Sequence, residues 1–177
     1  MLVADLVEAK SDLAALVCAA QGGDRAAFGA LYERYARMVH GILLSHTGFA
    51  DAEDLLQDVF LRAMQQLASL RDPAAFGSWI AAIARRSATD LHRRQKPSRE
   101  TWKGSEAAGS DQEAFSILAE LQKLPKAYRE TLVLRLVEGM TGPEIAVRTG
   151  LAPDSVRVNL CRGMKLLRKA LGGSGKR

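Results

Sequence analysis

Apolar residues return every three or four positions in four stretches of the first half of the chain, as they do on the buried face of an amphipathic helix. Each stretch is bounded by residues that start or stop helices, such as the paired glycines Gly22 and Gly23, the N-cap Asp24 and the Asp72-Pro73 pair. The pattern predicts four helices, at Asp12–Ala20, Asp24–Thr47, Ala50–Ser69 and Asp72–Arg94.

The periodicity is lost after Arg94. Residues 95–112, QKPSRETWKGSEAAGSDQ, are rich in Pro, Gly, Ser and charge, which indicates a flexible linker. Beyond it, apolar spacing bounded by Pro or Gly predicts helices at Glu113–Leu124, Lys126–Glu138, Gly142–Arg148 and Asp154–Leu171. No stretch alternates as a strand would. We therefore expect an all-α fold of two small helical domains, 12–94 and 113–171, joined by that linker.

Composition narrows the class of protein. A net charge of +5 and a pI near 9.5 suit a polyanionic partner such as nucleic acid. Cys18 and Cys161 stand far apart and outside any Cys/His cluster, which predicts neither a metal site nor a disulfide and favours a reducing cytoplasm. The sequence shows neither a basic leader nor an apolar run of membrane-spanning length, so we expect a cytoplasmic protein that does not insert into membranes and has no cofactor.

Residues 141–171 have the pattern of a helix-turn-helix. A short helix would turn Ile145 and Ala146 inward, Gly150 would allow the left-handed backbone of a tight turn, and Leu151 would fill the core. The second helix would bury Val156, Leu160, Leu167 and Leu171. Its outer face is basic and could enter a major groove, presenting Ser155, Arg157, Val158, Cys161, Arg162 and Lys165.

The third predicted helix has an acidic face. Asp51, Asp54 and Asp58 follow each other at i, i+3 and i+7, and Gln57 lies alongside them. No histidine accompanies these carboxylates, which argues against a metal site or a catalytic pair. A solvated face is the ordinary explanation. A docking surface for a basic protein partner is the functional one.

The fourth predicted helix ends with the opposite charge. Arg85, Arg86, Arg93 and Arg94 outweigh Asp90, and further bases continue into residues 95–103. Such a segment is either a solvated basic face or a second surface for nucleic acid.

Two long strings carry a family resemblance. DAEDLLQDVFLRAM (51–64) with FGSWIAAIARRSATDLHRR (76–94) resembles region two of extracytoplasmic-function sigma factors, and LPKAYRETLVLRLVEGMTGPEIAVRTGLAPDSVRVNL (124–160) resembles their region four. Both occur in the family's order with a linker between them. The resemblance implies an alternative sigma factor, a non-enzymatic subunit that binds core RNA polymerase and directs it to promoters.

The resemblance also assigns roles to residues. It implies that the acidic face (Asp51, Asp54, Gln57, Asp58) docks on the clamp helices of the polymerase. It implies that the fourth helix, with the loop near 70–75, holds the melted minus-ten element through a set including Arg85, Arg86, Asp90, Arg93 and Arg94. The outer face of the last helix would read the minus-thirty-five element, with Arg157, Val158 and Cys161 in the groove. A dedicated anti-sigma protein is the expected antagonist.

Two positions depart from the family pattern: Arg86 stands where Asn is frequent, and Asn159 where a base is frequent. These departures affect which promoter sequence the chain would recognise and leave its expected general role unchanged. The main alternative is a helix-turn-helix regulator that binds DNA without core polymerase, and a protein-binding adaptor is another. An enzyme is disfavoured because the sequence contains no P-loop, Gly-rich dinucleotide turn, nucleophile elbow or metal-binding spacing.

Overall fold

The computed structural model describes residues 2–94 and 117–174, with side chains for 12–94 and 117–172. The described residues are helical and include no strand, so the all-α prediction is confirmed. The predicted linker 95–112 and the predicted start of the fifth helix at Glu113 lie outside them. The N-terminal group consists of α1 (Leu2–Gln21), α2 (Arg25–His46), α3 (Phe49–Gln66) and α4 (Phe76–Arg94); the C-terminal group consists of α5 (117–122), α6 (Lys126–Leu136), α7 (Gly142–Thr149) and α8 (Pro153–Ser174).

The ends of most helices lie within three residues of their predicted positions. Helix α1 departs most, because it begins at Leu2 and not at Asp12, and α4 begins at Phe76, four residues after the predicted start at Asp72. Residues 2–11 contain neither Gly nor Pro and are dominated by good helix formers, whereas the prediction relied on an apolar stripe. Asp24 caps α2 as predicted, since its carboxylate accepts hydrogen bonds from the Ala26 and Ala27 N–H groups at 2.8 and 3.1 Å.

The segment between α3 and α4 is held in place by side chains. Helix α3 ends at Gln66, and residues Leu67–Ser69 form a single 3₁₀ turn where the sequence predicts continued α-helix. Gln21 donates hydrogen bonds to the carbonyls of Leu67 and Leu70 at 3.0 and 2.9 Å. Asp72 caps a second 3₁₀ turn, Pro73–Ala75, directly before α4. The loop at 70–75 therefore has a defined backbone path.

Helix α2 is the centre of the structure, since α1, α3, α4 and α6 all pack against it. Every residue from 38 to 45 is buried except the half-buried His40. The sequence pattern assigned this helix one apolar stripe, but the run MVHGILLS is apolar almost all round. A helix of that kind must be covered on several sides.

The two groups of helices pack against each other along α2, α4, α6 and α7, and their buried residues form one continuous apolar cluster. The closest approach on α2 is at Gly41, where a Cβ atom would lie 2.8 Å from Leu134 Cδ2 of α6. The sequence predicts two small domains at 12–94 and 113–171, and those bounds stay a prediction. What the structure adds is the contact between the two groups.

Candidate nucleic-acid interface

Helices α7 and α8 form the predicted helix-turn-helix. Thr141 and Glu144 start α7 with a capping box, in which the Glu144 carboxylate accepts the Thr141 backbone N–H at 2.8 Å. That hydrogen bond and the one from the Thr141 hydroxyl hold the pKa of Glu144 below its usual value. Gly150 ends α7 with φ +74°, the left-handed conformation that the sequence predicted there.

The core between α7 and α8 follows the prediction except at its far end. Ile145, Ala146 and Val156 are buried, and Leu151 and Leu160 pack partly buried against the same cluster. Leu167 is buried as well. The prediction for Leu171 was wrong: this side chain is 38% exposed, because Leu167 is the last residue of α8 that the described core covers.

The outer face of α8 is open to solvent. All six residues predicted to face DNA are exposed: Ser155, Arg157, Val158, Cys161, Arg162 and Lys165. Arg157 forms an ion pair with Asp154 at 3.2 Å, but both side chains are mostly exposed, so the pair adds little stability and can rearrange. The face combines one apolar position, Val158, with several bases. It has the chemistry and the shape that a major groove accepts.

Helix α3 presents its acidic face to solvent. Asp54, Gln57 and Asp58 are exposed and Asp51 is half-buried, while the opposite side of the helix is buried. Within 12–94 and 117–172, none of these carboxylates pairs with a base. The face is therefore available to a basic partner.

An apolar groove of about 250 Å³ adjoins the acidic face. Leu61 and Met64 of α3 form its rim and are 54% and 53% exposed. Met64 belongs to the apolar stripe of α3 by its spacing in the sequence, where a buried side chain is expected, but it lies at the edge of that stripe and is exposed. Gln57 belongs to both surfaces. The groove is lined by Phe28, Tyr32, Gln57, Phe60, Leu61 and Met64.

Some charged residues at the basic end of α4 are exposed, and one is paired with an acid of α6. Arg86, Arg93 and Arg94 are exposed and Asp90 is half-buried. Arg85 is engaged, because its Nε and Nη2 donate to the two carboxylate oxygens of Glu130 in α6, at 3.0 and 2.6 Å. Sequence reasoning could not find this pair, since 45 residues separate its partners.

Glu130 is a buried carboxylate with two bases beside it. Burial by itself raises the pKa of Glu130, but His46 and Arg85 lower it by more, so the pKa lies below its usual value. Of the two bases only Arg85 is within hydrogen-bonding distance, because His46 Nε2 lies 3.6 Å from Oε2. The bond to Glu130 in turn raises the pKa of Arg85.

The described residues offer neither a cluster of metal ligands nor a helix suited to a membrane. Among the side chains described, those of 12–94 and 117–172, no three His, Cys, Asp or Glu residues come together as metal ligands would. None of the helices there is long and apolar enough to cross a membrane.

Comparison with known proteins identifies the class. Residues 31–98 match the family model of sigma-70 region 2, and residues 114–167 match that of sigma-70, region 4. The RNA polymerase sigma factor CarQ of Myxococcus xanthus is 34% identical over 85% of this chain and 92% of its own length. The fold and these matches define a bacterial transcription initiation factor of the sigma-70 class.

More specific relatives identify the group. The ECF RNA polymerase sigma factor SigM of Mycobacterium tuberculosis is 30% identical over 90% of this chain and 84% of its own length. The chain belongs to the extracytoplasmic-function group of RNA polymerase sigma factors. The solved structure of CnrH in complex with the cytosolic domain of CnrY superposes with a TM-score of 0.65, covers 91% of this chain and 97% of that one, and is 24% identical, which supports the same fold.

Proposed function

We propose that the chain binds core RNA polymerase through the acidic face of α3 and the apolar groove beside it. The face supplies Asp51, Asp54, Gln57 and Asp58, and the groove supplies the exposed Leu61 and Met64. An apolar patch bordered by charged residues is a usual feature of a specific protein interface. Neither feature has a partner among the described residues, so both are free for one.

Helix α4 and the loop at 70–75 are the proposed surface for the minus-ten element. The exposed bases of α4 can bind the backbone of a melted strand, and the defined loop path offers a fixed edge on which a flipped base can be held. Trp79, near the start of α4, is a half-buried aromatic residue close in sequence to this loop. The residues assigned to this surface are Arg85, Arg86, Asp90, Arg93 and Arg94.

Helix α8 is the proposed reader of the minus-thirty-five element as duplex. Arg157, Val158 and Cys161 would face base edges, while Ser155, Arg162 and Lys165 would bind the backbone and fix the register. Val158 and Cys161 can pack against a thymine methyl group, whereas Arg157 can donate two hydrogen bonds to guanine.

One observation carries this function: an unpaired acidic face, a basic helix end and a basic helix-turn-helix face occur in one chain that matches both sigma regions. A regulator that binds DNA alone would leave the acidic face and the groove without a role. In this function the chain works in the cytoplasm, carries out no chemical step and is opposed by an anti-sigma protein. CnrH was solved in complex with the cytosolic domain of CnrY.

The direct test is in vitro transcription with core polymerase on a promoter library, with and without the purified chain. We expect defined transcripts only when the chain is present, from templates that share two spaced motifs. Transcripts that do not depend on the chain, or DNA binding without core polymerase at full specificity, would favour the regulator instead.

A further inference from the structure

Helix α8 has an acid in its first turn and a base one turn later. Asp154 follows Pro153 at the start of the helix, and Arg157 lies at i+3 from Asp154, so the two side chains share one side of the helix. Arg157 Nη2 donates a hydrogen bond to Asp154 Oδ1 at 3.2 Å. The pair therefore lies at the end of the helix that a helix-turn-helix presents to base edges.

Asp154 is the one acid of α8, whose other charged residues are all bases. These bases are Arg157, Arg162, Lys165, Arg168 and Lys169. A carboxylate in this position repels the phosphates that the bases attract, so it lowers the affinity of the helix for any DNA. The acid is unfavourable for binding as such, and its presence needs another explanation.

The stability of the fold does not supply that explanation. The side chains of Arg157 and Asp154 are 77% and 88% exposed, and an ion pair in that setting contributes little because water solvates both charges. An acid in the first turn also interacts favourably with the helix dipole, but that effect requires no partner three residues later. Neither effect explains why the carboxylate meets Arg157, a residue of the reading face.

The hydrogen bond to Asp154 fixes how Arg157 can meet a base. A guanidinium has five N–H donors, and Nη2 carries two of them, so the bond to Asp154 leaves the other for DNA. That hydrogen and its neighbour on Nη1 make the fork that bonds O6 and N7 of guanine. A free arginine loses much conformational freedom when it binds, and the carboxylate reduces that loss by holding the guanidinium beforehand.

The same hydrogen bond makes a wrong base less favourable. Adenine has an N6 amino donor where guanine has the O6 acceptor, and the fork of Arg157 cannot bond a donor. A free arginine avoids this mismatch by turning to a neighbouring phosphate, which is the same in every sequence. An arginine held by Asp154 keeps facing the base, and the carboxylate repels the phosphate. Specificity increases although affinity falls.

We infer that Asp154 is a positioning residue, which holds Arg157 toward one guanine of the minus-thirty-five element; this inference rests on the proposed function. The chain loses affinity for DNA in general and gains selectivity at a single base pair. Removal of the carboxylate therefore has opposite effects on the two quantities, whereas damage to the helix would lower both.

Four variants separate this role from a structural one. Asp154→Asn removes the charge and keeps the size of the side chain, and Asp154→Ala removes both. Arg157→Ala identifies the base pair that Arg157 reads, and its combination with Asp154→Asn tests whether Asp154 acts through Arg157. Arg162→Ala is the matched control, because Arg162 is an exposed base of the same helix without an ion pair among the side chains of 12–94 and 117–172.

The measurement is selection of promoter DNA by the chain assembled with core polymerase, from a library randomised at the minus-thirty-five element. Sequencing of bound and input DNA gives the base preference at each position, and titration gives the affinity for a mismatched site. For Asp154→Asn we expect the guanine preference at the Arg157 position to fall about fivefold, the low end for one bidentate contact, with other positions changed by less than about twofold. Affinity for the mismatched site should rise and depend more steeply on salt.

The combined variants decide whether the effect passes through Arg157. With Arg157→Ala, the Asp154→Asn change should leave the base preference unaltered, whereas with Arg162→Ala its effect should persist in full. The inference is overturned by an unchanged guanine preference in both Asp154 variants, an equal loss of preference at every position, or a loss that persists without Arg157. A guanine preference that Arg157→Ala leaves intact overturns it as well.

Failure of the proposed function would look different. A wild-type complex that selects no minus-thirty-five motif overturns that function, and the positioning role with it. A wild-type complex that selects a motif which Arg157→Ala relaxes, and which neither Asp154 variant changes, supports the function and refutes the positioning role alone.

Discussion

The pair between Arg85 and Glu130 yields the sharpest prediction about stability. Arg85→Met keeps the aliphatic stem and removes the guanidinium, which leaves the Glu130 carboxylate 10% exposed without its hydrogen bonds. Breaking a buried pair from one side costs about 3–5 kcal/mol. We expect about 3 kcal/mol, at the low end, because the Arg85 side chain is itself 34% exposed and the site is partly wet.

The reverse change should cost less. Glu130→Gln leaves Arg85 without its partner, but the Arg85 guanidinium can turn to water. The free energy of unfolding should therefore fall by only about 1–2 kcal/mol. The double variant buries no charge at this site and should lose about 2 kcal/mol, so the coupling energy of the pair is about 2–3 kcal/mol. The asymmetry between the two single variants is the signature of an acid more deeply buried than its base.

The assay is urea unfolding at neutral pH and low salt, followed by circular dichroism. Arg86→Met is the matched control, since Arg86 is the exposed neighbour on α4 and should change stability by no more than about 0.5 kcal/mol. Equal losses for Arg85→Met and Arg86→Met, together with a coupling energy near zero, would refute the assignment of a stabilising pair.

Three further outcomes are expected. Because the pKa of Glu130 lies below the ordinary value of 4.5, its ionised form stabilises the fold at any pH above that value. The difference in the free energy of unfolding between wild type and Glu130→Gln should therefore stay constant from neutral pH to about pH 5 and shrink at lower pH. A difference that grows in acid contradicts this. Gly23 and Gly150 both have positive φ, but an added Cβ would meet a neighbouring side chain only at Gly150. Gly23→Ala should therefore lower the free energy of unfolding by roughly 1 kcal/mol, the cost of left-handed strain, and Gly150→Ala should lower it by more. Equal losses contradict this. In filter binding of the chain in complex with core polymerase to DNA that carries the minus-thirty-five element, Lys165→Ala should weaken binding to all sequences alike and reduce the salt slope by about one. Arg157→Ala should instead relax the preference at one base pair, and identical effects of the two variants would remove the distinction.

Much of the fold could be predicted because it depends on local signals. Apolar spacing, the N-cap at Asp24, the Asp72-Pro73 pair and the left-handed Gly150 each act within a few residues, and the sequence displays them directly. Helix α1 was predicted too short, because good helix formers extend it well beyond its apolar stripe. The outer face of α8 was predicted from periodicity alone, which a single regular helix preserves.

The contacts between the groups could not be predicted in the same way. Glu130 and Arg85 are 45 residues apart, and Glu138 and His40 are 98 apart, with nothing in their neighbourhoods to indicate a partner. Only the run MVHGILLS in α2 indicated that the two groups pack together, since a helix that is apolar on all sides requires an additional covering helix. The groove at Met64 was not predicted, because the 3.6-residue spacing of apolar positions shows which face of a helix is apolar. It does not show how much of that face the neighbouring helices cover.

The central claim is that an acidic face on α3 binds core RNA polymerase, and its most direct measurement is the affinity of the labelled chain for purified core enzyme. Changing Asp54 and Asp58 to Lys should weaken binding at least tenfold, while Lys at Asp12 and Glu33, which are exposed on α1 and α2, alters net charge equally and should leave binding near wild type. Equal affinity for both double variants, or no binding by the wild-type chain, would contradict the account.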